Sequence, residues 1–381
     1  MILGTLLGGV ASFAGCAGGP SRATDAEVAS SLRVVATMKQ TPGNIAIGPD
    51  GRIFVSVHPF AGASNSVVEV NKSGESIAYP PGAWASKPGP NGVGIASVIG
   101  IECDADGILW MLDMGSSEPG IALPPRLIAW NTRQETLHRV IPILPPASVA
   151  NGFPQDFVID TEHKKIYIAD MGLTGLGGTT LPAFIVVDLA TGSARRVLEG
   201  APELRSEDDA RMVIDGVPVR VLDAQRRAFE PSLGLNPVAI DAECRWVYFG
   251  AMHGRTLYRV PAANLADASL DADKLARSIE RYGVKPVSDG IVVDSGGNVY
   301  SGDVNANAIG VTSRDGTYRI LVRDDAKLRW VDGFSFGPSG ELFATVNQLH
   351  KHAQLNAGVK AIEGDMTIVR LRSIVPGSIG R

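Results

Sequence analysis

One pattern recurs six times along this chain, and it limits the possible fold more than any other feature. An alternating apolar run enters a tight turn of Asp, Gly, Ser, Pro or Asn, and a second alternating run follows with an aromatic residue at a fixed place. The copies are NIAIGPDGRIFVSVH (44–58), IGIECDADGILWMLD (99–113), QDFVIDTEHKKIYIAD (155–170), NPVAIDAECRWVYFGA (236–251), SDGIVVDSGGNVYSGD (288–303) and VDGFSFGPSGELFATVN (331–347). Each reads as a hairpin, and Phe54, Trp110, Tyr167, Tyr248, Tyr300 and Phe343 mark the second strands. Between them lie weaker strand pairs, RLIAWN with TLHRVIPI, AFIVVDL with ARRVLEG and AIGVTS with TYRILVR. Four strands per repeat and six repeats predict an all-β, six-bladed β-propeller over 31–373. TIVRLR near the C-terminus and LRVVATM at 32–38 each lack a local partner. The expectation is that the N-terminal strand closes the last blade by pairing 32–38 with 366–371, which removes exposed sheet edges.

Composition agrees with many short strands and turns: Gly 44, Pro 24 and only 20% charged residues, with 45% hydrophobic residues to fill a core. Lys+Arg 35 against Asp+Glu 40 gives a net charge of -5, and no basic cluster could neutralise a run of phosphates. Nucleic acid is excluded as a partner on these grounds. The uncharged stretch MILGTLLGGVASFAG reads as a secretory apolar region, and Phe13-Ala14-Gly15-Cys16 is similar to a bacterial lipobox. The expectation is an exported protein of the cell envelope or exterior, with 1–20 as signal and Cys16 as the lipidation site. A lipid on Cys16 would be its sole membrane contact. Residues 21–30 read as a linker and 374–381 as a tail. Cys103 and Cys244 fall in non-adjacent blades and read as core residues without a disulfide.

Two insertions interrupt the repeat. Residues 199–230 carry the charged run SEDDAR followed by MVIDGVPVRVL, either a solvated excursion or a lid; residues 262–283 carry Leu265, Leu270, Leu275 and Ile279 at helical spacing, read as outer decoration of blade 4. GLTGLGGTT at 172–180 reads as a loop, since it has no lysine to hold phosphate. No G-x-S-x-G, H-E-x-x-H, phosphate-loop or C-x-x-C signature is present.

In a propeller, inner strands start at the face where second strands end, so polar residues at both kinds of terminus converge on one tunnel mouth. The inner-strand starts carry Asn44, Asp156, Asn236, Asp289 and Asp332; the second-strand ends carry His58, Asp113, Asp170, Asp303 and Asn347. Together they are the candidate ligand-binding residues. Asp289 and Asp332 each precede a glycine, read as leaving room for a ligand to approach the backbone. Crowded carboxylates need a cation, a protonated amine or a raised pKa to offset their repulsion. Of the remaining histidines, His253 could also face the mouth, whereas His138, His163, His350 and His352 read as surface or turn residues.

The stretches VSDGIVVDSGGNVYSGD, WVDGFSFGPSGELFATVNQLHK, KIYIADMG and RTLYRVP resemble the major royal jelly/yellow protein family over most of 32–372. The resemblance implies a secreted six-bladed propeller, with small aromatic amines or lipids as ligands in some members and a pigment-pathway, dopachrome-converting role proposed for others. A more distant similarity is to the gluconolactonase/regucalcin family, which holds a divalent metal at the tunnel mouth through Glu, Asn and Asp. That similarity would assign Asn236, Asp289 and Asp332 to Ca²⁺ or another divalent cation, although Pro237 stands where the pattern has glycine and no Glu lies near the first inner strand. Three functions follow as expectations: binding of a small cationic or amine ligand, a metal-dependent lactonase-like hydrolase or isomerase, and a protein-interaction scaffold.

Overall fold

The computed structural model describes residues 22–71, 73–118 and 120–380. Six four-stranded antiparallel sheets stand around one axis as blades of a propeller. Their inner strands are Pro42–Ile47, Val98–Cys103, Pro154–Asp160, Leu235–Ile240, Ile291–Val293 and Val331–Phe336. Each is followed by the aromatic-bearing strand of its hairpin: Ile53–Val57, Ile108–Asp113, Lys165–Asp170, Trp246–Ala251, Val299–Asp303 and Leu342–Val346.

The hairpin turns share one geometry. Gly51, Gly107, Gly297 and Gly340 sit at its left-handed position, with φ near 80°, and Lys164 and Cys244 take φ 54° and 53° at the same place in blades 3 and 4. The aromatic of the second strand packs into the core and, in three blades, locks the turn. Trp110 Nε1 donates to Asp104 Oδ2 (3.1 Å), Tyr167 to Asp160 Oδ2 (2.7 Å) and Tyr300 to Asp294 Oδ2 (2.9 Å). These turn aspartates therefore hold the outer end of the hairpin, away from the tunnel mouth. Between blades, alternate strand faces mesh into apolar clusters, such as Phe184 and Phe249 packed edge to face at 5.3 Å between blades 3 and 4.

The sixth sheet has Arg33–Met38 as its outermost strand, antiparallel to Met366–Leu371 with Arg33 opposite Arg370 and Met38 opposite Met366. Cys103 and Cys244 are buried free thiols. The stretch 21–30 is not a linker throughout: Asp25–Ser30 is a helix with a capping box from Thr24 and Glu27, and Val28 is buried in the cluster between blades 5 and 6. The tail docks as well, with Ile374 N–H donating to Tyr300 Oη (2.6 Å) and Ile374 O accepting from Ala23 N–H (2.8 Å). Residues 1–21, including Cys16, lie outside the described residues.

The insertion 199–230 is a roof over the tunnel mouth. It forms two short hairpins, Val213–Ile214 with Val217–Pro218 and Val221–Leu222 with Ala228–Phe229. Met212, Ile214, Val219 and Val221 pack with Leu233, Met252, Trp330, Leu349 and Leu355 in a cluster of their own. Polar ties fix its edges: Asn305 and Asn307 of blade 5 bond to Val213 N–H, Arg211 O and Asp215, and Ala357 N–H donates to Arg220 O (2.9 Å). The other insertion is helical only at Ala262–Ala266 and Ala272–Arg277. Residues 280–284 are instead the outer strand of blade 4, because Thr256–Pro261 offers them an open edge.

Candidate functional site

The local geometry of the site comes from an irregularity at the start of the inner strands. In five blades the ladder slips there, between Pro42 and Ile45, Val98 and Ile101, Pro154 and Asp156, Leu235 and Val238, and Val331 and Phe334. In blade 5 regular pairing begins only at Ile291. A bulge re-aims side chains that strict alternation would send elsewhere. The first residues of these steps are Gly43, Ile99, Gln155, Asn236, Asp289 and Asp332, and all but Gly43 line a cavity of about 470 Å³ under the roof.

The next residues along, Asn44, Gly100, Asp156, Pro237, Gly290 and Gly333, lie one layer deeper. Four of them, Asn44, Asp156, Gly290 and Gly333, border a space of only about 20 Å³ within the tunnel, room for roughly one water. Asn44 and Asp156 therefore leave the mouth site and bond to each other, Asn44 Nδ2 donating to Asp156 Oδ1 at 3.1 Å. The reading of Gly290 and Gly333 as ligand clearance is also corrected. A Cβ on Gly290 would lie 1.9 Å from Asp332 O, and one on Gly333 would lie 2.1 Å from Asn44 Oδ1. Those glycines let neighbouring blades approach at the axis.

The second strands repeat the lesson. His58, Met114, Met171, Met252, Val304 and Asn347 are equivalent, each donating its backbone N–H to the residue that precedes or begins the adjacent inner-strand step, from Thr41 to Trp330. Among them His58, Met171 and Met252 line the cavity. Asp113, Asp170 and Asp303 are one residue earlier, so alternation turns them away from it. Asp113 caps Ala96 and Ser97 N–H and forms a buried ion pair with Arg126 at 3.0 Å. Asp170 caps Phe153 and Gly172 N–H and pairs with Arg196 at 2.7 Å. Asp303 accepts from Tyr318 Oη (2.9 Å) and Ala306 N–H. These three are structural carboxylates rather than ligand-facing ones.

The cavity is apolar on its walls and acidic on its floor. Phe60, Phe153, Leu176, Leu233, Met171 and Met252 surround it, with Val221, Leu222, Leu349 and Leu355 above. Asp289 is fully engaged: Asn236 Nδ2 donates to Oδ1 and Trp330 Nε1 to Oδ2, both at 2.7 Å. Asp332 Oδ2 accepts from Asn347 Nδ2, while among the described residues nothing hydrogen-bonds its Oδ1. Burial raises the pKa of both aspartates, and for Asp332 the negative charges of Asp289 and Asp156 add to the effect and carry it well above the usual carboxylate range. Burial likewise pushes Asp156 up to about 8.

Trp330 holds a left-handed φ of 60°, uncommon for a bulky residue, and its ring is fixed by Asp289 and by parallel stacking on His350 at 6.0 Å. His352 is thus not a surface residue, whereas His350 lies half-buried in the 3-10 turn Leu349–Lys351. The His350 ring nitrogens are buried without a partner among the described residues, and His352 is buried and bonded to Thr41 Oγ1 at 2.8 Å. His58 is buried at the cavity wall, where burial and then His352 lower its pKa to about 3, leaving a neutral ring. His253 is buried beneath the roof insertion, outside the main cavity. Sequence reading missed Gln155, Trp330, Met171 and Met252; the recurrence of one residue past each second strand was the available signal for the methionines. Among the described residues no three of His, Cys, Asp and Glu form a group that could hold a metal ion.

A six-bladed propeller with a roofed apolar cavity over an acidic floor at one tunnel mouth is the class that this fold and geometry define. The chain belongs to the major royal jelly protein family, whose model matches residues 96–374. No curated protein matches it in sequence. Among solved structures it is similar to regucalcin, a calcium-binding protein from Agrobacterium tumefaciens, with a TM-score of 0.53 and 14% identity over 91% of this chain and 95% of that one. It is also similar to a gluconolactonase from Xanthomonas campestris, with a TM-score of 0.53 and 12% identity over 93% and 94% of the two chains. A luciferin-regenerating enzyme matches with a TM-score of 0.52 and 12% identity over 92% and 97%. At such identities these likenesses show the six-bladed fold.

Proposed function

We propose that the cavity binds a small molecule with an apolar body and a positively charged nitrogen set against Asp332. The observation that carries this reading is the unpartnered Oδ1 of a buried Asp332 at the floor of an apolar cavity of about 470 Å³, a volume in the range of small-molecule sites. Burial raises the pKa of both carboxyls and neighbouring charges add to it at Asp332, so a cation there competes with a proton and affinity rises as pH rises. Titration calorimetry with phenethylamine and its neutral counterpart phenylethanol tests it. The amine should bind more tightly, and Asp332→Asn, which keeps the bond from Asn347, should weaken the amine by about tenfold or more. Equal binding of amine and alcohol, or an unaffected Asp332→Asn variant, overturns the reading.

A metal-dependent lactonase-like hydrolase or isomerase is the second reading, because Asn236, Asp289 and Asp332 do line one cavity and a regucalcin and a gluconolactonase share the fold. It is less favoured, since both Asp289 oxygens already accept N–H donors where a cation would need them. Stoichiometric Ca²⁺ binding lost in Asp289→Asn would reverse that order. Export rests on the apolar N-terminal stretch and Cys16. Mass spectrometry of the mature protein tests it, and full-length unmodified chain in the cytoplasm ends that proposal.

A further inference from the structure

We propose that a second cavity beside the first is a subsite for an oxyanion, so that the ligand is a zwitterion whose apolar body joins an ammonium at Asp332 to a carboxylate at Lys87. The proposal rests on the amine reading of the main cavity and extends it. The second cavity, of about 270 Å³, lies at the junction of blades 1 and 2 and is bordered by His58, Asn65, Ser66, Lys87 and Ser97, with no Asp or Glu in its lining. His58 borders both cavities.

Three hydrogen-bond donors there have no acceptor among the described residues. The Nδ1 of His58 accepts the backbone N–H of Phe60 at 3.2 Å, which places the proton of the neutral ring on Nε2, and nothing bonds Nε2. His58 is 6% exposed as a residue, and its Nε2 still opens onto the cavity. Lys87 Nζ donates to Ser66 Oγ (2.9 Å) and Ala96 O (2.6 Å), which leaves one of its three protons unused. The Ser97 hydroxyl is also unpartnered, its backbone N–H being held by Asp113. An anionic oxygen in this pocket can accept from these donors, with a charge-assisted bond from the exposed Lys87. The acidic floor, with one carboxylate oxygen free, and this donor-lined pocket then give the site two polar ends of opposite character, with apolar walls between.

The test compares phenethylamine, 4-(2-aminoethyl)benzoate, whose ammonium and carboxylate lie at opposite ends of the ring, and 4-ethylbenzoate by titration calorimetry on the whole chain. 4-(2-Aminoethyl)benzoate should bind about tenfold or more tightly than phenethylamine, because the carboxylate adds a charge-assisted contact. In Lys87→Gln the two should bind alike, and circular dichroism would check that this rim substitution keeps the fold. In Asp332→Asn 4-(2-aminoethyl)benzoate should lose affinity while 4-ethylbenzoate does not. Equal affinities of amine and zwitterion in the unaltered protein, or a difference that survives Lys87→Gln, overturn the oxyanion subsite and leave the amine reading standing. Binding of neither compound overturns both.

Discussion

Asp113 and Asp332 both stand at the mouth end of a strand, yet one residue of offset gives them opposite roles. Asp113 turns outward to Arg126 and two backbone N–H groups, whereas Asp332 turns inward to a cavity with one oxygen free. Removing one partner of a buried ion pair leaves the other charge uncompensated, which typically costs about 3–5 kcal/mol. Asp113→Asn should therefore lower unfolding stability by an amount of that order in urea titrations while phenethylamine affinity stays the same. Asp332→Asn should do the reverse, weakening the amine with little loss of stability, since its one intramolecular bond survives. A drop in ligand affinity for Asp113→Asn without a stability loss would return that residue to the site.

At the scale of the element, the bulge at the head of the inner strand is the unit that builds the site. It lets two successive residues face the axis, one in the mouth cavity and one in the tunnel below, so small residues are required wherever the lower layer meets a neighbouring backbone. Gly290 is the tightest case, with Asp332 O only 1.9 Å from a hypothetical Cβ. Gly290→Ala must push apart the inner strands of blades 5 and 6. The expected cost is above about 3 kcal/mol, read as a large fall in melting temperature or as failure to fold. Gly216, at a roof turn with nothing within 4 Å of its Cβ position, is the control. Its φ of 79° strains alanine as well, but Gly216→Ala should cost about 1 kcal/mol. Similar losses at both positions would show that axial crowding is not what selects Gly290.

At the scale of the whole molecule, blades 3, 5 and 6 bring Asp156, Asp289 and Asp332 to one axis, and their carboxyls act on each other there. Burial raises all three, Asp156 to about 8, against an unfolded value of about 3.9. A folded pKa above the unfolded one means that the native state binds the proton more tightly. This contribution to stability is complete below about pH 4 and is lost as pH rises through about 8. The melting temperature should thus fall between about pH 5 and about pH 8.5. Asp156→Asn, which mimics the protonated acid and can still accept from Asn44, should flatten the profile and raise the melting temperature at the alkaline end. An unchanged profile would mean that Asp156 is ionised in the folded protein.

The sequence by itself determined the six hairpins, their turns, the buried aromatics and the family, because strand alternation and turn chemistry are local and repeat along the chain. It also placed His58, Asn236, Asp289 and Asp332 at the right end of the right strands. What it could not carry was the register within each strand end: a bulge adds one residue and changes which neighbour faces the axis, so Asn44 and Asp156 sank into the tunnel and Asp113, Asp170 and Asp303 turned outward. The roof, the placement of Trp330 under His350 and the meeting of Lys87 with His58 were decided by tertiary structure alone. Those contacts join segments far apart in the chain, and no local periodicity records which of them the packing of six blades will bring together.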